Sequence, residues 1–296
     1  MDPFDHQTAA LQTLQARATA YFRGGWHNLE LQPRWATLIT GPTGVGKTTL
    51  VKIVAARLGA NLIRTSAPAW IPAGAHNRGV GETLPHLIRE IEKHDSNILF
   101  LDEMEKLGDS PWMTHCRDEI WSVVDGILPS GIKPTDEDFP EQETSNWLEK
   151  ITNKLRRNTF IVGAATFQTW FDSAKSRRAI GFTHEQTNKQ SLTADVIAER
   201  IPREFANRFQ ADIQLKDLEE RHYRLIIDQA AGKIPASHRT IFREEAESRL
   251  AGAIEAKKAV RFVEEAWLAA ITKVPLPEEA IATSPNIFDD PAAFEL

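Results

Sequence analysis

The segment Gly41-Pro42-Thr43-Gly44-Val45-Gly46-Lys47-Thr48 fits the pattern G-x-x-x-x-G-K-[ST] without a mismatch. Glycines at those spacings let backbone N–H groups turn inward around phosphate oxygens, and a helix starting at the lysine adds its positive N-terminal end. In such a turn Lys47 is predicted to reach the β and γ phosphates of a nucleoside triphosphate. The Thr48 hydroxyl is predicted to ligate Mg²⁺, with Thr49 next in the binding segment. A second group lies 55 residues beyond Lys47, where the apolar run Ile98-Leu99-Phe100-Leu101 ends in Asp102-Glu103. A strand of that kind beside the phosphate-loop strand would bring Asp102 to the Mg²⁺ water shell. Glu103 would then polarise the attacking water as general base. A strand ending in Asp-Glu is common on its own; its pairing with the phosphate turn is what gives it chemistry.

The elements that must hold these groups read as alternating strands and helices. Apolar residues Leu11, Leu14, Ala18, Tyr21 and Phe22 recur at three- and four-residue steps, predicting an amphipathic helix over 8–22 that Gly24-Gly25 ends. A strand at 35–39 feeds the glycine-rich turn, and a helix follows over 47–58, stopped by Gly59. Further strand-like runs at 61–64, 98–101, 159–162 and 211–215 are separated by helical stretches. That alternation predicts an α/β fold, a parallel sheet with helices on both faces. Beyond Asp217 only helical patterns remain, over 218–231, 241–255 and 257–272. The predicted organisation is a P-loop subdomain over 1–216, a small all-α lid over 217–274 and a tail over 275–296. The acidic, Pro-containing stretch 129–142 is expected to project as a loop.

Composition narrows the setting. Net charge is −6, and five acidic residues (Glu278, Glu279, Asp289, Asp290, Glu295) fall in the tail, which has no Lys or Arg. The rest is close to neutral, which argues against a broad nucleic-acid surface. Basic pairs such as Arg156-Arg157, Arg177-Arg178 and Lys257-Lys258 read as solvated surface. The single Cys116 excludes an internal disulfide and a multi-Cys zinc site. With no signal-like start and no apolar run long enough to cross a membrane, a cytoplasmic protein without membrane insertion is expected.

Taken together, the two motifs resemble those of the AAA+ ATPases, the Walker A and Walker B segments, and within that family the unfoldase branch of ClpX and HslU. The resemblance extends over about 5–272. It implies that Asp5-His6-Gln7 is the adenine-contacting entry segment, with His6 and Gln7 at the nucleotide. Arg78-Gly79-Val80-Gly81-Glu82 is similar to the stretch holding the first pore loop, with Gly79, Val80 and Gly81 in it. The run 160–168 resembles the sensor-1 strand, which makes Thr166 the candidate γ-phosphate sensor and Gln168 the second choice. Ile201-Pro202-Arg203-Glu204-Phe205-Ala206-Asn207-Arg208 is similar to the segment carrying the arginine finger. The match points to Arg208, reaching a neighbouring subunit's ATP, with Arg203 as the alternative. Lys257-Lys258-Ala259-Val260-Arg261 matches the sensor-2 helix start imperfectly, and either Lys258 or Arg261 fills that role.

Two departures stand out. Where that branch carries a pore aromatic, this chain has Gly79; Trp70 is the nearest ring, though it reads more readily as a packing residue. The N-terminal zinc domain of ClpX and the inserted domain of HslU are expected to have no counterpart in this chain. Ile180-Gly181-Phe182 matches the tripeptide with which ClpX-like proteins dock on the ClpP peptidase. The eight Trp residues, Trp112, Trp121, Trp147 and Trp170 among them, read as core packing first and as a partner surface second. The resemblance implies an ATP- and Mg²⁺-dependent ATPase acting as a homo-oligomeric ring, expected to be hexameric, that remodels, disassembles or unfolds a protein partner. The alternatives are a nucleic-acid-associated AAA+ ATPase, such as a helicase loader or transposition regulator, and a slow nucleotide-dependent switch or scaffold.

Overall fold

The computed structural model describes residues 5–72, 82–107, 111–129, 132, 141–167, 207–256 and 261–276. Its centre is a five-stranded sheet in the order β2-β3-β4-β1-β5, with every pairing parallel. The strands are β1 (Thr37–Thr40), β2 (Asn61–Ser66), β3 (Asn97–Asp102), β4 (Thr159–Ala165) and β5 (Gln210–Gln214). Around them lie α1 (Asp5–Arg23), α2 (Lys47–Leu58), α3 (Thr83–Lys93), α4 (Pro111–Val124) and α5 (Glu141–Asn158). Three further helices follow β5: α6 (Glu220–Lys233), α7 (Arg239–Glu255) and α8 (Arg261–Lys273).

The period-2 alternation of the strands sorts their side chains into two cores. Leu99 and Leu101 of β3, Leu38 of β1 and Ile161 of β4 pack on one face with Leu87, Ile91, Ile120 and Ile151 from α3, α4 and α5. Ile98, Phe100, Phe160, Val162 and Ile39 pack on the other face with Leu11, Leu14, Leu50 and Val54 from α1 and α2. Both faces are thus covered, which is why the central strands are apolar throughout rather than alternating. Helices α6–α8 gather a third core of their own around Tyr223, Ile227, Phe242 and Phe262.

One expectation needs correction. The Asp-Glu strand is not beside the phosphate-loop strand, because β4 lies between β3 and β1. The chain crosses from β1 past β4's place to β2 and β3, and returns only with β4 to fill the gap. Helix α1 also begins earlier than its apolar pattern, at Asp5. Its far end is tied to the sheet: Arg17 makes a two-pronged bond to Asp212 (3.0 and 2.7 Å) and donates to Thr37 Oγ1 at 3.1 Å. Tyr21 Oη lies 2.8 Å from the Arg156 carbonyl and 2.9 Å from that of Thr159, and accepts the Thr159 N–H at 3.1 Å. Burial pushes the Tyr21 phenol pKa upward, so it stays protonated as a donor.

Candidate active site

Strand β1 ends at Thr40 and the chain turns through 41–46 before α2 begins at Lys47. Gly46 caps that helix with φ +87°, a left-handed conformation in which an L side chain is strained. A Cβ there would also collide with Gln7 Nε2. That close approach exists because Gln7 is buried and donates to the Val45 carbonyl at 3.0 Å. The entry segment therefore braces the phosphate loop directly through Gln7. The His6 side chain lies outside the described residues.

Lys47 is 8% exposed and donates to the carbonyls of Gly41 (2.8 Å) and Pro42 (2.9 Å). Burial pulls its pKa down from the ordinary 10.5 to about 8, opposed by the negative charges of Asp102 and Glu105. Thr48 Oγ1 lies 3.4 Å from Asp102 Oδ2, longer than a strong O–H···O bond. The other Asp102 oxygen accepts the Glu103 N–H at 2.8 Å. Although β4 intervenes, the two motifs converge because both leave the same C-terminal edge of a parallel sheet. Thr49 Oγ1 is buried with no partner among the described residues.

Glu103 has φ 55° and ψ 39°, left-handed for a residue with a Cβ. Strain of that kind costs on the order of 1–3 kcal/mol and collects at functional sites. It turns the carboxylate off the strand, where Lys106 pairs with it. Two neighbours carry signals that the motifs did not contain. Lys106 has its own pKa raised, chiefly by the hydrogen bond to Glu103. Glu105 accepts the backbone N–H of Thr166 at 3.1 Å, joining the turn after β3 to the end of β4. Thr166 itself is half-buried just past β4, at the same edge of the sheet.

Other expected site residues lie elsewhere. Arg208 precedes β5, and the register Thr37↔Gln210, Thr40↔Gln214 puts it at the edge of the sheet opposite the phosphate loop. At about 3.3 Å per strand residue, that is on the order of 15 Å from the strand ends where Lys47 and Asp102 meet. There its guanidinium forks onto Asp125 (2.7, 2.9 and 2.8 Å) and lies 5.0 Å over the Trp121 ring. Arg261 opens α8 as an exposed residue 3.6 Å from Glu265. Trp70 is buried, with its indole N–H on Glu119 at 2.9 Å, and Trp147 is buried and bonded to Glu92 at 3.1 Å. Gly79, Val80, Gly81, Gln168, Trp170, Ile180, Gly181, Phe182, Arg203 and Lys258, and the Trp112 side chain, lie outside the described residues.

The cradle suits a triphosphate: helix N–H groups, a lysine and a hydroxyl converge, with one carboxylate held open toward the hydroxyl. Among the described residues no cluster of three or more His, Cys, Asp or Glu could hold a metal by itself. A Mg²⁺ carried largely by phosphates needs only Thr48 and Asp102 from the protein. No helix among the described residues is long and apolar enough to cross a membrane.

Comparison with known proteins agrees with this geometry. The family model for the ATPase family associated with various cellular activities (AAA) matches residues 37–184, from β1 past β4. The ClpA homolog protein of Fuscovulum blasticum is 28% identical over 220 residues, covering 72% of this chain but 24% of that protein. The chain thus spans about a quarter of that relative's length. With half its length matched by the family model and the phosphate loop and Asp-Glu strand at one edge of a parallel sheet, the chain belongs to the AAA ATPase family.

Proposed function

We propose that this protein hydrolyses ATP between neighbouring copies of itself and uses the cycle to remodel a protein partner, in the manner of the ClpX and HslU branch. The loop 41–48 holds the triphosphate. Lys47 exchanges its two carbonyl partners for the β and γ oxygens, and Thr48 and Asp102 hold Mg²⁺. Bound there, Mg²⁺ neutralises charge on the β and γ phosphates. Glu103, released from Lys106, orients the attacking water and accepts its proton, and Thr166 senses the γ-phosphate. The tail-side helices 217–274 act as a lid, with Arg261 or Lys258 on the nucleotide. The similarity to a ClpA homolog favours a protein client over a nucleic acid.

The observation that carries the intersubunit reading is the placement of Arg208. It stands on the opposite edge of the sheet from its own phosphate loop, out of reach of its own ATP, half-buried and held by its fork on Asp125. A guanidinium there can stabilise transferring phosphoryl charge only in a neighbour. A head-to-tail contact that closes into a ring, of six copies in the branch it resembles, satisfies every such interface. Arg208→Ala is expected to lower turnover by about 10²-fold or more while ATP affinity changes little. Mixing it with Glu103→Gln should restore part of the activity, since some interfaces then carry an intact finger and an intact base. No recovery at any ratio, or a monomer that turns over normally, contradicts the proposal.

A further inference from the structure

On the edge of the sheet away from the phosphate loop, a cavity of about 760 Å³ opens beside Arg208. That is within the size range of sites that take small ligands or peptide anchors. One wall is aromatic: Tyr21 stacks on Trp26 at 5.4 Å between ring centroids, and Trp26 meets Trp35 at 5.5 Å. The other wall carries Arg34, Arg156 and Arg208. Asp125 already neutralises Arg208 through its forked bond. Arg34 and Arg156 are exposed and have no acidic partner among the described residues. Arg34 donates one N–H to the Asn207 carbonyl, and Arg156 donates Nε–H to the Gly126 carbonyl at 2.9 Å. A guanidinium has five N–H donors, so both keep most of theirs for a ligand. The chemistry that fits is a peptide with an aromatic ring next to carboxylates.

This chain carries such a peptide. Residues 277–296 lie outside the described residues and contain five acidic and no basic side chains, with Phe288-Asp289-Asp290 among them. Phe288 is twelve residues beyond Leu276, a tether that can extend to roughly 40 Å. We propose that Phe288-Asp289-Asp290 docks in this cavity, with Phe288 on the Trp26–Trp35 wall and the two carboxylates on Arg34 and Arg156.

The test uses the full chain with a photoreactive benzoylphenylalanine in place of Phe288, irradiated without nucleotide and mapped by mass spectrometry. Crosslinks are expected to concentrate at Tyr21, Trp26, Trp35 and the segment 32–36, and to weaken with added salt as a charge-steered contact does. Combining Arg34→Glu with Arg156→Glu should abolish them. Both positions are exposed, and unchanged circular dichroism will show that the fold is kept. Mixing isotope-labelled and unlabelled chains assigns each crosslink to the same chain or to a neighbour, and either supports the docking. Crosslinks spread over other surfaces, or undiminished in the double variant, overturn it. The readout does not involve hydrolysis, so a negative result leaves the ATPase reading untouched.

Discussion

Lys47 combines a charge with near-complete burial, and its lowered pKa records the conflict. A bound triphosphate favours the ammonium, so binding raises that pKa and takes up a proton wherever the empty site is deprotonated. ATP affinity should therefore be flat below about pH 8 and fall as pH rises past it, by up to tenfold per unit. Titrations with a non-hydrolysable ATP analogue from about pH 7 to about pH 9.5 measure this. A flat profile would remove the Lys47 ammonium from the binding step. Glu105 works through the main chain, accepting the Thr166 N–H and adding negative charge near Lys47. Glu105→Ala strips that N–H of its acceptor, a loss of about 0.5–1.5 kcal/mol, or roughly 2- to 10-fold. We expect the loss in kcat with KM unchanged, and Glu105→Gln to recover most of it because the amide oxygen still accepts. An equal fall in both parameters alongside a lowered Tm would mark Glu105 as merely structural.

Between β1 and α2 the backbone does what no side chain at that place could. Gly46→Ala forces a Cβ into a left-handed conformation and against Gln7. The conformational part alone costs about 1–2 kcal/mol. A fall in Tm of about 2–8 °C and weakened ATP binding should follow. Adding Gln7→Ala should relieve the contact part and leave the conformational part. A Gly46→Ala protein with parental Tm and affinity would contradict this account of the turn. The elements themselves were legible from periodicity: α2 falls on its predicted residues, and β2 to β5 lie within a few residues of theirs. Strand neighbours were not legible. An apolar run such as 98–101 states that a strand is buried on both faces, and nothing in it states that β4 will separate it from β1. Glu105 was hidden for a related reason, since its partner Thr166 is 61 residues away and is met through the backbone rather than a side chain.

At the scale of the molecule, one edge of the sheet holds the loop 41–48, Asp102, Glu103 and Thr166, and the other holds Arg208 and the cavity of Trp26 and Trp35. The sequence motifs identify the first edge because its chemistry is local, a few residues at fixed spacing. The second edge is assembled from α1, the 26–36 segment, α4 and the chain before β5, which only folding brings together. This polarity, a phosphate-binding turn at one edge and a guanidinium at the other, is what the proposed head-to-tail assembly rests on. Everything here depends on the first edge being catalytic. The most direct measurement is steady-state ATP hydrolysis by the full chain with Mg²⁺, run beside equilibrium ATP binding, for the parental protein and Glu103→Gln. Hydrolysis that needs Mg²⁺, falls about 10²- to 10⁴-fold in the variant, and leaves ATP affinity within a few-fold of parental is the predicted result. Parental-rate turnover in Glu103→Gln, or a parental protein that binds ATP and never hydrolyses it, would contradict the account.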